Sequence, residues 1–284
     1  MIRFGAFVRI VRPVNCVMMG FAVIVGAALV GENIFAEKVF LPLVFGFLTG
    51  FFLAGGSMVV NDITDREIDA VNEPSRPIPS GAVSLRQAQV FAFVLGALGF
   101  GFALATNWQC FVIAVFSWFL LGAYLVWGKR AGFFGNLLVS VCVVIPFVYG
   151  EFVVGRGFAE ASSVFVALAF LSITGREVTK GIVDVEGDRR KSVRTVAVRF
   201  GARVAAVVAV VFYVSAVVLS VLPLKLRLVS FWFLPSVLVT DGGLVSSSVL
   251  LLRDFSRENA KRVKRLVLVW CVFGLVAFLA GTVG

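Results

Sequence analysis

The sequence contains no histidine, and it is poor in cysteine and in charge. The absence of histidine excludes a histidine-ligated metal centre and a histidine general base. The four cysteines (Cys16, Cys110, Cys142 and Cys271) stand singly in or beside apolar runs. They lack the paired spacing of a disulfide framework or a cysteine metal site, and we interpret them as small apolar packing residues.

Most of the chain consists of apolar residues. Hydrophobic residues make up 60% of the chain, charged residues 15%, and the mean hydropathy is +1.01. Nine apolar runs each approach the roughly 20 residues needed to cross about 30 Å of hydrocarbon. We therefore predict an all-α membrane protein with nine transmembrane helices. The runs lie at about 14–31, 39–60, 86–105, 109–127, 133–154, 161–179, 203–222, 229–251 and 264–283. No linker-like or low-complexity segment divides them, which predicts a single integral-membrane domain over residues 1–284.

The distribution of lysine and arginine predicts an orientation. If the N-terminus lies inside, all but four of the 26 basic residues fall in inside segments. The exceptions are Lys38, Arg156, Lys225 and Arg227. The positive-inside rule therefore predicts a multi-pass protein of the cell membrane with a cytoplasmic N-terminus and an outside C-terminus. The net charge of +10 has the same explanation together with anionic lipid headgroups, so no nucleic-acid partner is predicted.

Acidic residues gather where two of these runs end. Of the 16 acidic residues, five lie in residues 61–85 and four in residues 177–188. Each group follows an even-numbered run, the second and the sixth. Both groups are therefore expected on the inside face, at two helix ends.

The spacing within each group places carboxylates together. Asp62, Asp65 and Asp69 share one face if the second span continues as a helix past residue 60, and Asp184 and Asp188 stand at i and i+4. Such carboxylates repel one another and are costly near hydrocarbon. Oxygen ligands suit Mg²⁺ or Ca²⁺, and Mg²⁺ commonly bridges carboxylates to substrate phosphates. The simpler alternative is a solvated loop with an acidic turn, and neither cluster alone decides between the two.

Interleaved cations favour a diphosphate site. Arg66 lies within the first cluster and Arg76 just beyond it, whereas Arg176 and Lys180 precede the second. Metal-binding carboxylates mixed with arginine and lysine suit a phosphate-rich ligand.

Two further stretches carry polar residues at inside helix ends. In "YLVWGKRAGFFGN", residues 124–136, Tyr124, Lys129 and Asn136 straddle an inside turn. In "VRPVN", residues 11–15, Arg12 and Asn15 lie at the inside mouth of the first span. Arg12 taken alone is typical of a topology charge, and Asn15 is of interest if it faces a polar cavity.

Together these motifs resemble the UbiA superfamily of intramembrane prenyltransferases. "NDITDREID" with "RPIPSG", then "YLVWGK…GN", then "REVTKGIVDVEGDRRKSVRT" follow in the family's order over residues of about 12–200. The last stretch most resembles the archaeal branch that makes digeranylgeranylglyceryl phosphate for ether lipids. The resemblance implies a nine-helix bundle around a cavity that opens sideways to lipid, with a polar cap on the cytoplasmic side.

The resemblance also implies an activity and roles for the motif residues. The activity is Mg²⁺-dependent transfer of a geranylgeranyl group from its diphosphate to the hydroxyl of geranylgeranylglyceryl phosphate. Arg66 and Lys129 would contact the diphosphate. Arg12, Arg76 and Lys180 would bind either that diphosphate or the acceptor's phosphate. Asn15, Tyr124 and Asn136 are further candidates for substrate binding. The implied magnesium ligands are Asn61, Asp62, Asp65, Asp69, Asp184 and Asp188. No obligate protein partner is predicted.

Two other functions remain open at this point. A relative could prenylate an aromatic quinone or haem precursor instead of a glycerol hydroxyl. A cation transporter would instead bury its ligands near the bilayer midplane on broken helices, whereas here the acid lies at an interface among basic residues. Asp241, near the middle of the eighth run, is either functional or hydrogen-bonded to Thr240 or to serines of neighbouring helices.

Overall fold

The computed structural model describes residues 4–31, 34, 36–128, 131–159, 162–190 and 193–283. Within these residues the regular structure is helical throughout, without a strand. The predicted all-α class is therefore confirmed. The helices are α1 Phe4–Val11, α2 Pro13–Leu29, α3 Glu37–Thr64, α4 Arg66–Asn72, α5 Leu85–Thr106, α6 Trp108–Ala123, α7 Phe133–Val153, α8 Ser163–Val183, α9 Val185–Arg190, α10 Val196–Leu219, α11 Leu222–Lys225, α12 Phe233–Arg253 and α13 Arg257–Gly281.

Each of the nine apolar runs coincides with a helix, but the number that qualify as membrane spans is smaller. Among the described residues, seven helical stretches are long and apolar enough to cross a bilayer. The pair α1 and α2, bent by 47°, gives an eighth. The remaining run corresponds to α8, which carries Arg176, Glu177 and Lys180 near its C-terminal end. The count of nine spans therefore stays a prediction.

The outer face of α6 shows the apolar exposure expected of a helix in lipid. Trp108, Val112, Phe116 and Phe119 are all exposed, at 47% or more of their surface. Their spacing places them on one side of the helix. A continuous exposed apolar stripe of this kind is unfavourable in water and favourable in hydrocarbon. The protein is a multi-pass membrane protein.

The chain divides into two compact units. The first unit contains residues 1–27, 33–126 and 146–157, and the second contains residues 28–32, 127–145 and 158–284. Helix α7 contributes to both, and the division falls at Pro146, a proline inside the helix. The prediction of a single domain remains a prediction.

Close helix contact in the first unit depends on glycine. A Cβ atom at Gly26 of α2 would collide with the backbone carbonyl of Phe147 in α7, and one at Gly150 would collide with the carbonyl of Val23. Small residues at helix interfaces let backbones approach closely within a membrane, where packing drives association. These two glycines therefore set the separation between α2 and the C-terminal part of α7.

Gly26→Ala is expected to destabilise the protein by about 1–3 kcal/mol, because a backbone atom cannot move aside as a flexible side chain can. The measurement is thermal unfolding in detergent. Gly101→Ala in α5 is the matched control, since a Cβ there meets nothing within 4 Å. Helix propensity alone should leave that variant as stable as the wild type or slightly more so. Equal melting temperatures for the two variants would contradict the packing argument.

The second unit is built around α8, α10, α12 and α13. Its core contains Val178, Tyr213, Leu251 and Val263, each about 1% exposed or less. The Tyr213 hydroxyl forms a 2.8 Å hydrogen bond with the Thr179 hydroxyl, which satisfies both buried groups. This packing fixes α8 within its charged end, between Glu177 and Lys180.

Candidate active site

The first acidic cluster consists of Asn61, Asp62, Asp65, Arg66 and Asp69. Helix α3 ends at Thr64 and α4 begins at Arg66, with Asp65 between them at φ −88° and ψ 4°. The hydrogen-bond pattern nevertheless continues, because the Asp65 N–H donates to the Asn61 carbonyl and the Asp69 N–H to the Asp65 carbonyl, both at 2.8 Å. The helix therefore continues past residue 60, which is the condition under which Asp62, Asp65 and Asp69 share one face.

Two carboxylates of this cluster are buried against arginines. Asp62 is 3% exposed and Asp69 is 5% exposed. Arg76 lies 2.6 Å from Asp69 and 3.5 Å from Asp62 through one nitrogen, Nη1. Arg12 lies 2.5 Å from the Asp62 oxygen that Arg76 also approaches. Because buried carboxylates are stable only when paired, these arginines balance the charge of the cluster.

Arg12 reaches Asp62 from a backbone position that few residues adopt. Its φ is +54°, in the left-handed region, at the bend between α1 and α2. Its carbonyl accepts hydrogen bonds from the N–H groups of Asn15 and Cys16, so it opens α2. A non-glycine residue in this region costs on the order of 1–3 kcal/mol and persists where its surroundings hold it. The contact with Asp62 is one such constraint.

Burial also affects the protonation of Asp69. Loss of hydration raises the pKa of Asp69 to about 6, and the neighbouring Arg76 guanidinium opposes that rise. A second positive charge at this position would favour the ionised carboxylate further. An additional cation at this cluster would therefore stabilise the ionised form of Asp69.

The remaining members of the first cluster lie differently. The Asn61 amide donates to the Asp65 carboxylate at 3.0 Å and so orients it. Arg66 is half-exposed and lies 3.8 Å from Glu67. The structure therefore does not bring Arg66 into the Arg12 and Arg76 network, and its contact with a diphosphate remains a prediction.

The other candidates outside the two acidic helix ends are dispersed. Asn15 is half-buried in the first turn of α2. Tyr124 begins a π-helical turn, Tyr124–Gly128, a geometry often found at functional sites. Asn136 lies in the first turn of α7, where its carbonyl accepts from Ser140. Lys129 lies outside the described residues. Their roles in substrate binding remain predictions.

The second acidic cluster, consisting of Arg176, Glu177, Lys180, Asp184 and Asp188, repeats the local backbone of the first. Helix α8 ends before Asp184, which has φ −99° and ψ 4°, and α9 follows. The Asp184 N–H donates to the Lys180 carbonyl, and the Asp188 N–H to that of Asp184. By this geometry Asp184 corresponds to Asp65, and Asp188 corresponds to Asp69, which is likewise buried. The counterpart of Asp62 is Gly181, which supplies no carboxylate at that position.

Glu177 is a buried, paired carboxylate at this helix end, which the sequence analysis counted among the acidic residues without assigning it a role. It is buried, and its carboxylate lies 3.1 Å from Arg176 and 3.4 Å from Lys180. Its position seven residues before Asp184 places both on one face of α8. That spacing is the signal that would have identified it.

The donor atoms suit a hard cation, although they are not gathered as ligands here. Among the residues that the structure describes, no three acidic or cysteine side chains converge as metal ligands. The carboxylates instead contact arginine. The available donors are carboxylate and amide oxygens at buried or half-buried positions, the set that Mg²⁺ prefers. The residues therefore fit Mg²⁺ if the arginine side chains move away from the carboxylates that they contact.

Comparison with known proteins decides the family. The model of the UbiA prenyltransferase family matches residues 19–280. The chain belongs to the UbiA family. The resemblance deduced from the motifs is thereby confirmed.

Individual members of the UbiA family support the same placement. The digeranylgeranylglyceryl phosphate synthase of Methanopyrus kandleri is 37% identical over 275 residues, covering 97% of this chain and 98% of that one. A solved structure from work on digeranylgeranylglyceryl phosphate synthase in membranes matches with a TM-score of 0.72 and 28% identity, over 100% and 99% of the two chains. A UbiA homologue from Archaeoglobus fulgidus, bound to GPP and Mg²⁺, shares the fold with a TM-score of 0.64 at 17% identity, over 96% and 99% of the two chains.

Asp241 proves to be hydrogen-bonded within the UbiA chain. It lies in α12 and accepts a 2.7 Å hydrogen bond from Ser220 at the end of α10. Of the two explanations left open by the sequence, the structure supports a bond to a serine of a neighbouring helix. This accounts for a carboxylate at that position without a catalytic role.

Proposed function

We propose that this protein catalyses Mg²⁺-dependent transfer of a geranylgeranyl group from geranylgeranyl diphosphate to the hydroxyl of geranylgeranylglyceryl phosphate, releasing diphosphate. The observation that carries the proposal is the buried Asp62 and Asp69 pair held by Arg12 and Arg76 at the end of α3. It places metal-type oxygen donors and phosphate-type cations in direct contact. The names of similar proteins support the choice of substrates.

In this proposal Asn61, Asp62, Asp65 and Asp69 would hold Mg²⁺ at the first cluster, and Asp184 and Asp188 would hold it at the second. Mg²⁺ supplies charge neutralisation for the departing diphosphate. Arg12 and Arg76 exchange their carboxylate contacts for diphosphate oxygens. Guanidinium groups suit this exchange, because their donors fit carboxylate and phosphate equally well.

The chain's residues then stabilise the charge that develops as the allylic carbon–oxygen bond breaks. Positive groups positioned on the leaving group lower the barrier because they already occupy their final positions. The acceptor hydroxyl attacks the electron-poor first carbon of the prenyl chain. A carboxylate of the second cluster, such as Asp188, takes its proton late.

The proposed site faces the cytoplasm. The inside assignment of both acidic helix ends follows from the bias of lysine and arginine, which also gives a cytoplasmic N-terminus and an outside C-terminus. A membrane location suits two substrates with long prenyl chains. Cysteine labelling at introduced positions on either side of an intact membrane measures this topology.

The test of function is a transfer assay with purified protein in lipid. Radiolabelled geranylgeranyl diphosphate, Mg²⁺ and geranylgeranylglyceryl phosphate should yield a labelled di-ether phosphate. Label in an aromatic acceptor instead, in a product that survives ether-cleaving conditions, would favour the aromatic prenyltransferase. If no diphosphate is released from the donor with any acceptor, and the protein carries a cation flux in vesicles, the transporter becomes the better assignment.

A further inference from the structure

Three cations of the second unit surround the charged end of α8. Arg176 and Lys180 project from α8, and Lys264 belongs to α13. Lys264 interacts electrostatically with Glu177 and Asp184, and with both of the other cations. Three positive groups are therefore gathered around Glu177 and Asp184 at a half-buried position.

One donor in this group lacks an acceptor. Within the part of the chain that the structure describes, the buried Nε of Arg176 has no hydrogen-bond partner, although Nη1 of the same guanidinium contacts Glu177. A buried donor without an acceptor is costly. Its position beside two lysines indicates that an anionic ligand completes the arrangement.

The two helices that carry these cations are held together. Arg257, at the start of α13, donates from Nε to the Val183 carbonyl at the end of α8, at 3.0 Å. Lys264 lies about two turns further along α13, on the same side as Arg257. The relative placement of Lys264, Arg176 and Lys180 is therefore fixed by the fold of this unit. A fixed set of cations binds an anion with a smaller loss of side-chain entropy.

The absence of a carboxylate at position 181 indicates that the anion is a phosphate group. In the first cluster the residue three positions before the helix break is Asp62, a metal-type ligand, whereas in the second it is Gly181. The turn of α8 that carries Lys180 therefore lacks the carboxylate that Asp62 supplies in the first cluster. Such a surface suits direct contact with the terminal oxygens of a phosphate monoester.

We propose that Arg176, Lys180 and Lys264 form the binding site for the phosphate group of the acceptor lipid, with Glu177 as the residue that positions Arg176 and Lys180. This inference rests on the proposed function, since it concerns the acceptor of that reaction. It assigns Lys264 and Arg176 to substrate binding. Of the two roles that the motif resemblance left open for Lys180, it selects the acceptor.

The test measures Michaelis constants for both substrates in zwitterionic nanodiscs. Lys264→Gln is expected to raise the acceptor KM about 10- to 100-fold and to leave the donor KM within about 2-fold, because one charge-assisted contact is lost. Lys264→Arg should recover most of the affinity. Arg176→Lys, which removes the Nε donor, should also raise the acceptor KM. Arg265→Gln, at the exposed neighbouring position, is the matched control and should behave as wild type.

A second acceptor separates phosphate binding from a structural effect. With geranylgeranylglycerol, which lacks the phosphate, wild type and Lys264→Gln should have equal kcat/KM. An equal loss with both acceptors, a rise in the donor KM, or an unchanged acceptor KM would each overturn the proposal. Melting temperatures of all variants identify any that are misfolded, and Lys264→Arg then gives the decisive comparison.

Direct binding distinguishes this inference from the proposed function. If wild type transfers to no acceptor, the proposed function fails, and the site is judged by glycerol phosphate alone. In that case a rise in the wild-type melting temperature that Lys264→Gln abolishes supports a phosphate site. Stabilisation by anionic nanodiscs alone, without any response to glycerol phosphate, would identify bilayer headgroups as the ligand and overturn the assignment to the acceptor.

Discussion

Asp62→Asn is expected to lower the rate of prenyl transfer by about 100- to 1000-fold, the range seen when one preorganised electrostatic contact is removed from an active site. One oxygen of Asp62 lies within reach of both Arg12 and Arg76. Asparagine keeps the size of the side chain but removes the charge that orients two guanidinium groups and that, in the proposed function, holds Mg²⁺. The measurement is the initial rate of label transfer at saturating Mg²⁺.

Glu67→Gln is the control for this variant, since it removes one carboxylate from the same stretch at a side chain that is 57% exposed. Its rate should stay within about 2-fold of wild type, as expected for a solvent-screened charge. Melting temperatures show whether Asp62→Asn is folded, because removing one partner from a buried ion pair is destabilising. A folded Asp62→Asn protein that retains a tenth or more of the activity would remove Asp62 from the proposed site.

Chelation of Mg²⁺ is expected to abolish transfer completely, and added Mg²⁺ to restore it. The structure adds a more specific expectation. The carboxylates of Asp62 and Asp69 each contact arginine in the structure. Mg²⁺ alone must displace those contacts, whereas a bound diphosphate offers the arginines new partners. Mg²⁺ should therefore bind about 10-fold or more tightly when a prenyl diphosphate analogue is present, and by linkage the analogue should gain equally from Mg²⁺.

Isothermal titration of Mg²⁺ with and without a non-hydrolysable analogue measures this coupling. Arg76→Gln is the informative variant, because it releases Asp69 from its guanidinium partner. It should bind Mg²⁺ alone more tightly than wild type and show weaker coupling to the analogue. Identical Mg²⁺ affinities with and without the analogue in wild type would contradict the exchange of arginine contacts.

Local features of the site were predictable from the sequence because they depend on spacing. The apolar runs predicted the helices, and the i, i+3, i+7 spacing predicted that three carboxylates share one face if α3 extends beyond residue 60. The Asp65 N–H confirms this extension through its bond to the Asn61 carbonyl. The tertiary partners were not predictable in the same way. The Arg12 contact with Asp62 joins residues 50 positions apart, and it depends on a left-handed backbone that no propensity favours for arginine.

At the charged end of α8, the structure contains a feature that the hydropathy of the sequence did not predict. An apolar run over residues 161–179 predicted a span, and a helix forms there, but it includes a buried Glu177 with two cationic neighbours. The mean hydropathy of a run does not reveal a single buried charged group. The stability of such a group depends on its specific ion pairs. The same averaging hid Lys264, which reads as a topology charge until α13 is placed against α8.

The bend at Arg12 has a practical consequence for anyone handling the protein. Helix α1 holds the segment after α4 through the bond from Arg9 to the Ser75 carbonyl, and the residue at its end holds Asp62. A bulky fusion to α1 would therefore strain the contacts that neutralise the acidic cluster, and a truncation of α1 would weaken them. An affinity tag for purification belongs after α13, where kinetic constants can be measured without disturbing that cluster.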